Sequence, residues 1–184
     1  TGAMYRIMGM RSLDEGVSVD DAEALTSLAE ATAMEAFEGR ATCNGADVSD
    51  RIRTPEVTRI ASFVAKVEGV RNVLVERQRQ AAEGRDVVTE GRDQGTVVFP
   101  EAEFKFFLDA SVEVRAERRR LEMEEKGDAV DVDELRREIA ERDERDRNRP
   151  IAPLRPADDA VVVDTSALSL EEVVETLEQQ VRGV

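Results

Sequence analysis

Apolar positions along the chain recur at two periods. In residues 3–13, Met4, Ile7, Met8 and Met10 fall on one side of a helix. Asp20 and Asp21 open a second predicted helix that runs to about Met34, with Leu25, Leu28 and Ala29 at helical spacing. Residues 36–49 are short and glycine-punctuated, and Asn44-Gly45 predicts a two-residue turn in a small antiparallel hairpin, with Cys43 beside it. Thr54-Pro55-Glu56 starts a helix to about Val67, and a further helix is predicted over 70–83. Two nearly continuous apolar runs follow, Asp86 to Thr89 and Phe104 to Leu108, and a third covers Ala160 to Asp164. Runs of this kind between helices predict strands of a buried parallel sheet, hence an α/β fold. Helices are predicted over 111–126 and 132–147, and Ser169 caps a last one with Glu171 and Glu172 in its first turn.

Composition narrows the chemistry. The 184 residues suit one domain, and 41% hydrophobic content can build a core. There is no His, which excludes a Ser-His-Asp triad, a Cys-His pair and a His-ligated zinc. The single Cys43 excludes an internal disulfide and a cysteine metal cluster, and it reads as a packing residue rather than a nucleophile. The net charge of −15 argues against nucleic acid and anionic membrane as general partners. No run approaches the roughly 20 apolar residues of a membrane span. With no signal peptide in these residues, a cytoplasmic location is expected. Arginine outnumbers lysine 23 to 3, the lysines being Lys66, Lys105 and Lys126. A GC-rich genome produces the same bias, so position rather than count must carry any argument from arginine.

Three constellations stand out by position. Glu90-Gly91-Arg92-Asp93-Gln94-Gly95-Thr96 leaves the carboxyl end of a predicted parallel strand, where open α/β sheets bind ligands. It offers close backbone approach, a cation for an anion and an acceptor for an amino group. A tight loop with a local ion pair is the alternative. Residues 141–149 (ERDERDRNR) place Arg142, Arg145 and Arg149 on one predicted helical face, with Asp146 four residues after Arg142. Arg149-Pro150 to Leu154 then stops that helix, as expected of a lid hinge, although a solvated helix laced with ion pairs fits the pattern too. Tyr5 and Arg6, near the start of the first helix, could meet a ligand; Ser62 and Arg71 add weaker signals.

Together these segments resemble bacterial cytidylate kinase of the nucleoside monophosphate kinase group. The matching stretches are TGAMYR (1–6), NGADVSDRIRTPEV (44–57), VRNVLVERQR (70–79), EGRDQGTVVFP (90–100), KFFLDAS (105–111), ERDERDRNR (141–149), APLRPADDAVVVDT (152–165) and LSLEEVV (168–174). They are collinear over nearly the whole chain. The resemblance implies a P-loop fold with a five-stranded parallel sheet. Its core would be 1–23, 68–117 and 152–184, with an acceptor-binding insert at 24–67 and a mobile lid at 118–151. It implies transfer of the γ-phosphoryl of ATP, with Mg2+, to CMP or dCMP by a monomer. By position, Arg6, Arg92 and Arg149 look like the arginines that hold the acceptor phosphate. Ser62, Arg71 and Asp93 look like the cytosine readers, Asp93 accepting from the exocyclic amino group. Arg142 and Asp146 look like lid residues near the sugar and the transferring phosphoryl. Thr1 and Tyr5 would line the acceptor site, and Arg118 and Arg119 would lie near ATP. No residue is assigned as a metal ligand.

The chain departs from the family pattern in one large respect. The family's strand, G-x-x-x-x-G-K-[ST] loop and helix precede the TGAMYR segment, and no such motif occurs in these 184 residues. They are therefore expected to lack about 30–40 residues of a strand–loop–helix unit, and the intact enzyme rather than this piece would be active. A partner chain supplying the missing half, or a non-catalytic pyrimidine-nucleotide-binding remnant, are the alternatives. Gln94 stands where the family usually has an aliphatic residue.

Overall fold

The computed structural model describes every residue except Glu38, Lys126, Asp128, Ala129 and Val184. It divides into two compact units, Thr1–Val98 and Phe99–Val184.

In the first unit the amino-terminal helix is the centre. Helix α1 (Gly2–Asp14) buries Met4, Ile7, Met8, Gly9 and Met10, so apolar side chains meet neighbours on most of its circumference. Helix α2 (Ala22–Ala31) begins at Asp21, whose carboxylate accepts from the Ala24 amide at 2.9 Å, as an N-cap should. It ends at Ala31 rather than near Met34, because Met34 already belongs to a strand. Strands β1 (Met34–Phe37), β2 (Arg40–Cys43) and β3 (Ala46–Asp47) form an antiparallel meander, with Met34 opposite Cys43 and Cys43 opposite Ala46. Asn44 and Gly45 both have positive φ, 49° and 81°, which is the geometry of the tight hairpin turn that Asn-Gly favours. The meander thus extends the expected hairpin by one strand.

Helix α3 (Pro55–Val64) starts with proline at its first position and with the Thr54 hydroxyl accepting from the Val57 amide. Helix α4 (Glu68–Ala82) follows, packed on α2, while α1 packs on α3. Ile7, Met8, Leu25, Val64, Val70 and Leu74 are fully buried. Each such side chain contributes roughly 1.5–3 kcal/mol relative to exposure. The expected strand at 86–89 is not formed: these residues carry no helix or strand, and the Val88 side chain is fully exposed. A strand is held by ladder partners, and none of the described strands pairs with this run. Residues Gln94–Val98 then close the unit in a single wide π-turn, in which the Asp93 carbonyl accepts from the Val97 and Val98 amides.

In the second unit, β4 (Phe106–Asp109) and β5 (Val161–Asp164) pair in parallel, Phe106 opposite Val161 and Asp109 opposite Asp164. Parallel pairing needs a long crossover, supplied here by helices α5 (Val112–Glu125) and α6 (Val132–Asn148), which lie against each other. Lys126, the expected end of α5, lies outside the described residues. Helix α7 (Leu170–Arg182) carries a complete capping box: the Ser169 hydroxyl accepts from the Glu172 amide, and the Glu172 carboxylate accepts from the Ser169 amide. The buried apolar set is small, with Ala110, Ala116, Leu135 and Val163, while Leu108, Val161, Val162 and Leu170 are exposed. Among the described residues the parallel sheet thus has two strands.

Candidate functional site

Four candidate residues of the first unit, Thr1, Tyr5, Arg71 and Asp93, come together at the 90–98 loop. Arg71 and Asp93 form an ion pair with side chains 3% and 6% exposed. The second Arg71 guanidinium nitrogen donates to the Ala65 carbonyl at 3.1 Å, and the guanidinium carbon lies 5.6 Å from the centre of the Tyr5 ring. Arg71 is therefore held by a carboxylate, a carbonyl and a ring face, and its planar fork serves all three. Thr1 reaches the same loop by donating its hydroxyl to the Glu90 carbonyl. Gly91 leaves room for two side chains there: a Cβ would lie 2.7 Å from Gln94 Nε2 and 2.9 Å from Thr1 Oγ1, so both would have to move.

Thr1, Tyr5, Arg71 and Asp93 are thus brought together, with Arg92 half-buried beside Asp93. Arg6 sits one residue on and points elsewhere, donating to the Ile52 carbonyl at 3.1 Å and to the Thr58 hydroxyl at 2.7 Å. Ser62 donates to the Arg59 carbonyl of its own helix at 2.8 Å.

In the second unit the candidates lie along α5, α6 and the turn that follows. Arg142 and Asp146 face each other one helical turn apart, 3.9 Å between Nε and Oδ2, with Asp146 the more buried. Arg149 does not continue their helical face. It is the residue after α6, in extended conformation (φ −64°, ψ 138°), because the ring of Pro150 disfavours the helical region for the residue before it. There its Nε donates to the Ala152 carbonyl at 2.5 Å, and Ala152 itself has φ of 50°. Arg118 donates to the Thr165 hydroxyl and to the Thr165 and Leu168 carbonyls, so it ties α5 to the turn after β5. Arg119 pairs with Glu122 at 2.7 Å on the exposed side of the same helix.

Sequence reasoning missed three supports of this arrangement. Gln94 donates to Gln78 at 3.2 Å, and Arg79 clamps the Val97 and Val98 carbonyls at 2.8 Å each. Asp143, 4% exposed, pairs with Arg115 at 2.6 Å, and Arg115 Nε donates to the Ala110 carbonyl just beyond β4. A signal for the last existed: Leu135, Ile139 and Asp143 share one stripe of α6, and a carboxylate on an apolar stripe needs a cation opposite it.

A magnesium ion that accompanies ATP is held chiefly by phosphate oxygens and water rather than by a cage of side chains. Among the described residues no group of three or more Cys, Asp or Glu side chains converges on one point, and no step below is routed through a metal. Nor, among those residues, is any helix long and apolar enough to cross a membrane.

A family model described as cytidylate kinase matches residues 1–183. The chain belongs to the cytidylate kinase family. It is similar to the cytidylate kinase of Desulforamulus reducens, with 49% identity over 180 residues, covering 96% of this chain and 81% of the relative. It is 46% identical to that of Bacillus cereus over 188 residues, covering all of this chain and 84% of the relative. A bifunctional pantoate ligase/cytidylate kinase of Synechococcus is 47% identical over 180 residues, covering 94% of this chain and 33% of the relative. The family is one of phosphotransferases, and the parallel β4–β5 pair with its helical crossover accords with a nucleotide-kinase fold.

Proposed function

We propose that the chain carries the acceptor-binding and lid machinery of an enzyme that moves the terminal phosphoryl group of ATP to CMP or dCMP, giving CDP or dCDP. The reading takes 24–67 as the acceptor-binding insert and 118–151 as the lid, on a core of the remaining residues.

The buried Arg71–Asp93 pair beside Tyr5 carries this reading. A carboxylate fixed at low exposure accepts a hydrogen bond from the exocyclic amino group of cytosine. Uracil presents a carbonyl oxygen at the same place, which would face the carboxylate with no proton between them. Sites that pair a buried polar group in this way reject the analogue that leaves it unpaired. Ser62 and Arg71 complete the base contacts, and Tyr5 and Thr1 line the pocket.

Arg6, Arg92 and Arg149 hold the acceptor phosphate. Arg142 and Asp146 approach the sugar and the transferring phosphoryl, and Arg118 and Arg119 the ATP side. Phosphoryl transfer asks little covalent chemistry of the protein and much placement of cations around spread negative charge. Magnesium, where present, would neutralise charge on the ATP phosphates. Arg6 and Arg149 each donate to a backbone carbonyl, contacts that phosphate binding would have to add to or rearrange. Turnover by these 184 residues alone is not expected, since they contain no G-x-x-x-x-G-K-[ST] loop for the ATP phosphates.

The test is calorimetric titration of the purified chain with CMP and UMP. CMP is expected to bind at least about tenfold more tightly, a difference of ~1.4 kcal/mol. Asp93→Asn should erase that preference, and Arg92→Ala should weaken CMP binding with an unchanged melting temperature. Equal affinity for CMP and UMP in the unmodified chain would refute the reading.

A further inference from the structure

Two successive loop residues are fastened to one face of α4. Asp93 pairs with Arg71, and Gln94 bonds Gln78, seven residues and two helical turns further along. The second fastening is the end of a directed chain. The Thr89 hydroxyl donates to Gln94 Oε1 at 3.0 Å, Gln94 Nε2 donates to Gln78 Oε1 at 3.2 Å, and Gln78 Nε2 donates to the Leu74 carbonyl at 3.0 Å. Every donor in the chain points the same way, and aligned bonds of this kind polarise and strengthen one another.

Gln78 is 4% exposed, so its amide oxygen depends on this partner. The Gln94 side chain also fills the space that a Cβ on Gly91 would need, with its Cγ at 2.8 Å from that position. Gln94 therefore braces the loop at its entry through Thr89, against its glycine, and against α4.

We infer that Gln94 is a positioning residue for cytosine recognition: through Gln78 it fixes the peptide that carries Arg92 and Asp93, and so sets how sharply Asp93 discriminates cytosine from uracil. The inference rests on the reading of Asp93 given above. With Gln94 tied, the Asp93 backbone is held from its carboxyl side twice over, by the Gln94 side chain at the first residue of the π-turn and by the bonds from Val97 and Val98 to its carbonyl. The carboxylate is then left only its own side-chain torsions, which Arg71 fixes. Without the tie, the loop between Thr89 and Gly95 can rotate about Asp93. The carboxylate can then retreat from a uracil oxygen instead of opposing it.

The test is calorimetric binding of CMP and UMP to the whole chain and to three variants, with melting temperature read alongside. Gln94→Met keeps the volume and removes the bonds; it should lower the ratio of CMP to UMP affinity about fivefold and lower the melting temperature. Gln94→Met with Gln78→Leu removes the stranded buried amide as well; it should recover the melting temperature but not the ratio. Thr89→Val, at an exposed position with no risk to folding, should lower the ratio by a smaller factor. An unchanged ratio in Gln94→Met and Thr89→Val, with the unmodified chain still preferring CMP, overturns the inference alone. A ratio that recovers together with the melting temperature in the double variant also overturns it, because it would make the tie merely structural. Loss of preference in the unmodified chain overturns the Asp93 reading and this inference with it.

Discussion

Gly9 is the point at which helices α1 and α3 touch backbone to backbone. A Cβ there would lie 3.0 Å from the Ala61 nitrogen, 3.1 Å from the Val57 oxygen and 3.3 Å from the Ala61 Cα. Two effects oppose each other in Gly9→Ala. Alanine is the better helix former by about 0.5–1 kcal/mol. Against it, an inserted methyl that meets backbone rather than a movable side chain costs about 1–3 kcal/mol. The neighbours are main-chain atoms of a fully formed helix, so α3 must shift as a body, and the second effect wins by about 1–2 kcal/mol. For a domain of the size of Thr1–Val98 this lowers the melting temperature by about 5–15 °C. The same shift separates Arg6 on α1 from Thr58 on α3, now 2.7 Å apart, so CMP binding should weaken too. Gly2→Ala is the control, because no atom lies within 4 Å of its added Cβ. Thermal denaturation followed by circular dichroism reads both. A Gly9→Ala protein that melts at or above the unmodified temperature, or a Gly2→Ala protein that loses as much, would refute the reasoning.

Asp143→Ala leaves the largely buried Arg115 without its carboxylate. A fully buried pair broken on one side costs about 3–5 kcal/mol, and the part-exposure of Arg115 reduces this to about 2–3 kcal/mol. Hydrogen exchange of α5 and α6 should speed up accordingly, and exchange within about 0.5 kcal/mol of the unmodified protein would count against the pair. Burial pushes the Cys43 thiol above its ordinary value, with Arg11 opposing and Asp14 adding smaller effects. Alkylation of Cys43 should therefore be far slower in the native than in the denatured protein near pH 8.5. The sign for stability follows, because the folded value lies above the unfolded one. The contribution is complete below the ordinary thiol value and is lost as pH rises through the folded value. Equal alkylation in both states would contradict the burial of Cys43.

Local sequence signals predicted the elements well where the cause of an element is itself local. Asn44-Gly45 specified its turn, Pro55 and Ser169 specified helix starts, and Pro150 specified a helix end. The strand over 86–89 was misjudged because a strand depends on a partner elsewhere in the chain, and Val87-Val88 carries no information about whether one lies alongside. Asp143 escaped for a related reason: amid the charges of 141–149 it differs from Asp146 only by the helical face it occupies. Gln94 escaped because an amide has no charge to advertise it, and its worth depends on Gln78 sixteen residues earlier. Arg71 and Asp93 were legible as members of one site only through resemblance, and their ion pair was not legible at all, since a separation of 22 residues has no helical or hairpin period.

The arginine surplus acquires a cause from α4 and its neighbours. A helix leaves its last carbonyls without intrahelical partners. Arg71 donates to Ala65, the residue that caps α3, and Arg77 donates to the carbonyls of Thr32, which caps α2, and of Glu30 in its last turn. Arg79 takes the two carbonyls at the end of the π-turn. Each is a forked contact to two acceptors in fixed relative positions, which a lysine ammonium on a flexible stem holds less well. A guanidinium bonded to a neutral carbonyl also keeps its charge, whereas one bonded to a carboxylate gives it up locally. Arg77 and Arg79 thus close a helix end and a turn end through carbonyls, whereas Arg71 also shares its charge with Asp93.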